Sequence, residues 1–87
     1  MKKFTAYTEG INREKIEEIL SSKLEGFTIF PAIGVWQSIK ENSLIIELIS
    51  DKAEDKIKLI SCLHDIKAFN QQQAVLLTES NIDSKLL

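Results

Sequence analysis

The chain has 87 residues, 44% hydrophobic and 28% charged, with a formal net charge of −2. That length fits one domain, and such a chain buries only about 60–65% of the surface exposed when unfolded, so its core is thin. A single cysteine excludes an intramolecular disulfide and a zinc site built on several cysteines, while three glycines and one proline exclude collagen-like and Gly/Pro-rich disordered classes.

Lys3 to Glu9 alternates with the period of a strand, Phe4, Ala6 and Thr8 on one side and Thr5, Tyr7 and Glu9 on the other. Gly10 breaks it, and Asn12 has the chemistry of an N-cap. Ile16, Ile19, Leu20 and Leu24 then mark an apolar stripe at helical spacing, which Gly26 closes in the manner of a left-handed C′ residue.

From Phe27 the period becomes two. Phe27, Ile29, Pro31, Ile33 and Val35 share one face; Thr28, Phe30, Ala32, Gly34 and Trp36 share the other. Pro31 has no ladder donor to offer, which predicts an edge strand or a bulge. Glu41-Asn42-Ser43 reads as a hairpin turn, and the strand Leu44 to Ile49 is apolar on both faces apart from Glu47, as a central strand is.

Asp51 and Glu54 have the spacing of an acidic helix start. Ala53, Ile57, Ile60, Leu63 and Ile66 line a second helix running to Ala68, with Asn70-Gln71-Gln72 as its exit. Gln73 to Glu79 forms the last strand, with Val75 and Leu77 opposite Ala74, Leu76 and Thr78. Residues 1–80 are expected to form one domain and residues 81–87 a short mobile tail.

The order β-α-β-β-α-β with right-handed crossovers predicts an α+β ferredoxin-like sandwich, a four-stranded antiparallel sheet with two helices on one face. The helices cover one sheet face, yet every strand carries apolar residues on both. Tyr7, Phe30, Trp36, Ile45, Ile49, Val75 and Leu77 are the candidates for the uncovered side. An apolar patch of that size predicts a homo-oligomer, dimer or trimer, packed through the open face or an edge strand.

Few residues can carry chemistry. Ile45, Glu47 and Ile49 stand where an RNA-recognition sheet needs stacking rings, and the charge is negative, so no nucleic-acid partner is expected. Arg13 is the only arginine, but Thr8-Glu9-Gly10-Ile11-Asn12 before it is not a phosphate loop, and Glu9 opposes an anion. Cys62 and His64, two apart on a helix, point to different sides and do not make a nucleophile–base pair. With one histidine and one cysteine no metal site is expected, and no cofactor. Glu41 and Glu47 are the carboxylates placed to meet a ligand or a neighbouring subunit, Glu41 exposed in the turn and Glu47 amid apolar strand residues. Apolar runs fall far short of the ~18 residues of a membrane span. Met1-Lys2-Lys3-Phe4-Thr5 lacks the apolar stretch of a secretion signal, so a cytoplasmic, non-membrane protein is expected.

Gly34-x-Trp36, then Glu41-Asn42-Ser43-Leu44-Ile45-Ile46-Glu47 and Gln72-Gln73-Ala74-Val75-Leu76-Leu77-Thr78, resemble a pattern in small uncharacterised proteins of phages and their bacterial hosts. That pattern is a Gly-x-Trp-Lys-Gly hairpin and a closing Asn-Gln-Glu-Ala-Val strand. Gln37-Ser38 replaces its Lys-Gly pair here. More distantly, Ile29 to Glu47 is similar to the long tryptophan-bearing hairpin of CutA in the PII and CutA group, which implies trimers with ligands in subunit clefts. No residues match the nucleotide loop of PII.

The resulting expectation is a non-enzymatic interaction protein of phage or mobile-element origin. It would bind a host protein, such as a component of a defence system, or sequester a small ligand. The alternative is a PII- or CutA-like regulatory oligomer with a small molecule held by Trp36, Glu41, Glu47 and Gln72.

Overall fold

A computed structural model describes residues 1–87. Its elements are β1 (Lys2–Glu9), α1 (Arg13–Ser21), β2 (Thr28–Trp36), β3 (Ile39–Ser50), α2 (Ala53–Asn70) and β4 (Leu76–Asn81). The strands form one antiparallel sheet in the order β2-β3-β1-β4, and both helices lie on one face: the ferredoxin-like arrangement. β3 is central, in keeping with its two apolar faces, and Pro31 sits on edge strand β2, where a missing donor costs least.

The core lies between sheet and helices. Phe4 and Ala6 of β1 and Leu44, Ile46 and Leu48 of β3 meet Ile16 and Leu20 of α1 and Leu59, Cys62, Leu63 and Ile66 of α2. Each fully buried aliphatic side chain contributes about 1.5–3 kcal/mol. In α2 the buried stripe is Leu59, Cys62, Leu63 and Ile66, at i, i+3, i+4 and i+7, rather than a stripe that includes Ala53 and Ile57. Ile57 is exposed because the helix is turned to bury Leu59 and Cys62 instead.

Several local expectations are corrected. Gly26 does not close α1 in a left-handed conformation: the helix ends at Ser21, and no glycine has positive φ. Asn12 makes no side-chain cap; it has φ 56° and sends its Nδ2 to Asn70 Oδ1 at 2.9 Å. At the start of α2, Ser50 does the bracing expected of Asp51. Its Oγ donates to Asp55 Oδ2 at 2.6 Å and accepts from the Lys52 amide at 3.0 Å.

The hairpin turns at Gln37-Ser38, not at Glu41-Asn42-Ser43. Both residues have positive φ, 50° and 66°, which is a type I′ turn made without glycine or asparagine. β3 therefore begins at Ile39, and the pairs Ile33–Asn42, Gly34–Glu41, Val35–Lys40 and Trp36–Ile39 continue past the last β1–β3 pair, Glu9–Ser43. A two-stranded arm thus projects from the sheet.

β4 is displaced toward the chain end relative to the expected strand. Asn81 belongs to it, and the Ile82 amide donates to Met1 O at 3.1 Å, so the first residues of the expected tail are tied to β1. Leu77 stands opposite Ala6 on the helix side, and Val75 shares that side; both pack on the core. Placing Val75 and Leu77 on the open face is therefore corrected, and Leu76 takes that position opposite Tyr7. Consecutive leucines put an apolar side chain at either parity, so alternation alone left the face undetermined.

Candidate binding surface

The pairing register fixes what the uncovered face presents. One rung runs Phe30–Ile45–Tyr7–Leu76 across all four strands. Tyr7, Phe30 and Leu76 are exposed and Ile45 is half-buried. The next rung, Thr28–Glu47–Thr5–Thr78, is polar, and beyond it Ile49 stands opposite Lys3. Lys3 Nζ lies 3.3 Å from Glu47 Oε1, a half-exposed pair that neutralises the one carboxylate in the middle of the face.

The arm continues the apolar surface. Trp36 and Ile39 stand on the open-face side at 68% and 63% exposure, while Ile33 and Val35 stand on the other side at 69% and 64%. Large apolar residues so exposed on both sides of a ribbon are unusual in a soluble protein, because a two-stranded ribbon gains little from its own packing.

Between the arm and the start of β4 lies a cleft of about 630 Å³ that includes Tyr7, Glu9, Trp36, Glu41, Ser43 and Leu76. Neither Glu9 nor Glu41 forms an ion pair. Two aromatic rings, an aliphatic side chain and two free carboxylates suit an apolar body carrying positive charge, since carboxylates and ring faces both favour a cation.

Of the four expected contact residues, the structure brings Trp36 and Glu41 together at this cleft. Glu47 lies on the same face but is held by Lys3. Gln72 is elsewhere, 8% exposed beneath the surface. Its Oε1 accepts from Thr8 Oγ1 at 2.7 Å and from Asn70 Nδ2 at 2.8 Å, and its Nε2 donates to Ala74 O at 3.3 Å. Gln72 is therefore not brought together with Trp36 and Glu41: its polar atoms join β1, the end of α2 and the approach to β4. Glu9 and Leu76 are cleft residues that the sequence reading missed; the alternation of β1 signalled Glu9, whereas Leu76 needed the β4 register.

The remaining reactive groups are apart. Cys62 is fully buried, its Sγ donating to Ile19 O at 3.6 Å, and His64 is exposed. Burial pushes the Cys62 thiol up, Lys23 opposes that shift and Asp65 adds to it. Arg13 Nε pairs with Glu17 Oε1 at 3.2 Å. No three His, Cys, Asp or Glu side chains are grouped so as to hold a metal ion, and no helix is long and apolar enough to cross a membrane.

No family model matches the sequence, and no curated protein does. Among solved structures, the chain is similar to a DUF3240 family protein from Shewanella baltica OS155, with TM-score 0.69 and 11% identity, over 99% of this chain and 93% of that one. It is similar also to a phage SAM lyase in its apo state, with TM-score 0.69 and 13% identity, over 91% of this chain and 78% of that one. At these identities the likeness is one of fold.

Proposed function

We propose that the chain is a small non-enzymatic interaction protein, of phage or mobile-element origin, that acts by binding a host protein through its open face and arm. The observation that carries this reading is the arm itself, with Trp36 and Ile39 exposed beside the Glu9–Glu41 cleft. An exposed tryptophan beside a tyrosine is of the residue types enriched in binding hot spots. The fold shared with a phage protein is in keeping with that origin. Capture from host lysate tests the reading: the wild-type chain should retain a defined protein, and Trp36→Ala with Glu41→Lys should lose it. Equal retention by wild type and variant would sink the proposal.

A second reading is favoured by the chemistry of the cleft. A PII- or CutA-like oligomer would hold a small organic cation there, against Tyr7, Trp36, Glu9 and Glu41. The sulfonium compound in the name of the phage fold neighbour is one probe of that class. A thermal-shift series with that compound, a polyamine and nucleotides discriminates: stabilisation by cations alone, abolished by Glu41→Gln, favours this reading over the first.

A further inference from the structure

We infer that the outer edge of β4 takes an added strand from another protein, an extended segment whose apolar side chains enter the groove between β4 and α2 and whose carboxylate meets Lys67 and His64. This site is on the helix side of the sheet, at the edge opposite β2, and does not rest on the role proposed for the open face and arm.

The edge is unguarded where the groove begins. β4 ends the order β2-β3-β1-β4 and pairs with β1 alone, so the amides and carbonyls of its other edge meet no strand. Folded proteins protect such edges with proline, with inward-pointing charge or with a cover. β2, the other edge strand, carries Pro31. On β4 the protection covers one half only: Glu79, opposite Phe4 and so on the helix side, is bonded to Lys2 and Lys56. From Gln73 to Thr78 the chain has neither proline nor charge.

The groove sets what the added strand must carry. Ile60, Leu63, His64 and Lys67 of α2, at i, i+3, i+4 and i+7, form one side of it, and Ala74, Val75 and Leu77 form the other, around about 210 Å³. That volume is below the ~300–1,000 Å³ of a small-molecule pocket. It suits side chains entering from alternate positions of a neighbouring strand. Such a strand would cover Val75 and Leu77 on the helix side and stand beside Leu76, which is 60% exposed, on the other.

Charge fixes the rest of the partner's chemistry. No acid lines the groove, and neither Lys67 nor His64 forms an ion pair, in a chain whose net charge is −2. A carboxylate at a groove-facing position therefore meets the Lys67 ammonium and a ring N–H of His64, whereas a lysine there meets like charge.

Fluorescence anisotropy tests this with labelled forms of two peptides, acetyl-Thr-Val-Thr-Val-Thr-Glu-Thr-amide and acetyl-Thr-Glu-Thr-Val-Thr-Val-Thr-amide, which serve either strand direction, and of their counterparts with lysine for glutamate. A glutamate peptide should bind, and its lysine counterpart at least about tenfold more weakly. Lys67→Glu should reverse that order with far-UV dichroism unchanged, and Lys58→Glu, the same change on α2 outside the groove, should leave it as in wild type. N-methylation of one alternate set of peptide amides should abolish binding and methylation of the other set should leave it, because an added strand bonds to β4 through one of its two sides. Absence of binding by both glutamate peptides overturns the inference, as do equal binding of glutamate and lysine peptides, an order that Lys67→Glu leaves unchanged, or indifference to which amides are methylated. So does concentration-dependent exchange protection of the β4 amides in the chain alone, which would put a second copy on this edge.

Discussion

Thr8 Oγ1 donates to Gln72 Oε1 at 2.7 Å, both residues buried and 64 positions apart in sequence. The same oxygen accepts from Asn70, whose own oxygen accepts from Asn12, so one chain of hydrogen bonds joins the end of β1, the entry to α1 and the exit of α2. No buried side-chain polar atom in the molecule lacks a partner. Gln72→Ala strands the Thr8 hydroxyl and the Asn70 amide and should cost about 2–4 kcal/mol, since each buried unpaired group costs about 1–3 kcal/mol. Urea denaturation should show a lower midpoint at unchanged slope, with open-face binding retained. A midpoint within error of wild type would refute the structural role.

Glu79 on β4 accepts from Lys2 and Lys56, both at 2.7 Å, and these hydrogen bonds bring its pKa from 4.5 down to about 2. A carboxylate whose folded pKa lies below its unfolded value stabilises the fold above the unfolded pKa. That contribution is lost as pH falls through the folded one. Stability should therefore decline from about pH 4.5 toward about pH 2. Glu79→Gln should flatten that part of the profile, measured as denaturant midpoint against pH. An unaltered slope in the variant would show that other groups govern the acid limb.

The fold was legible because β1, α1 and β2 each have a dominant period, α2 is a long segment without Gly or Pro, and the element order admits few topologies. The arm and the last strand were not, for separate reasons. Glu41-Asn42-Ser43 has the composition of a turn, whereas Gln37-Ser38, which makes the turn, has none of the residues that relieve positive φ. Leu76-Leu77 is apolar at both parities, so only pairing with Tyr7 and Ala6 assigns their faces. That Trp36 and Glu41 lie together at one cleft was legible because both belong to the same exposed hairpin, on the same side of its alternation. The buried position of Gln72 was not legible, because a polar side chain at a helix exit has the same sequence appearance whether it braces the interior or faces solvent.

Cys62 should be chemically silent in the folded protein. Its side chain is fully buried and its thiol is pushed up by burial, so little thiolate forms and little reagent reaches it. Ellman's reagent at mildly alkaline pH should react only at the rate of opening, and at once when denaturant is added. Stoichiometric labelling of the native chain within the mixing time would contradict the packing of α2 on α1.

The turn at Gln37-Ser38 holds two L-residues in the left-handed region, at about 1–2 kcal/mol each. Gln37→Asn with Ser38→Gly should relieve much of this. The arm extends beyond β1, so the gain should be local rather than global. Amide exchange at residues within the arm should slow by about tenfold or more, with the core amides unchanged. Equal exchange in the two proteins would mean that the arm is held by something other than its turn.

Gly10 and Gly26 should respond oppositely to alanine. The Gly10 amide donates to Asn42 O at 2.9 Å, which binds the β1–α1 connection to the root of the arm. A Cβ at Gly10 would sit 3.0 Å from the Asn42 carbonyl carbon and 3.1 Å from its oxygen, against backbone that yields only by moving the arm. Gly10→Ala should therefore cost about 1–3 kcal/mol, in the range of overpacking, and shift Glu41 relative to Glu9, weakening whatever the cleft binds. At Gly26 a Cβ meets nothing within 4 Å and φ is not positive. Gly26→Ala should stabilise by about 0.4–1 kcal/mol through a less flexible unfolded chain. Thermal unfolding of the two variants checks the pair: a Gly10→Ala protein as stable as Gly26→Ala would mean that the arm is not anchored at Asn42.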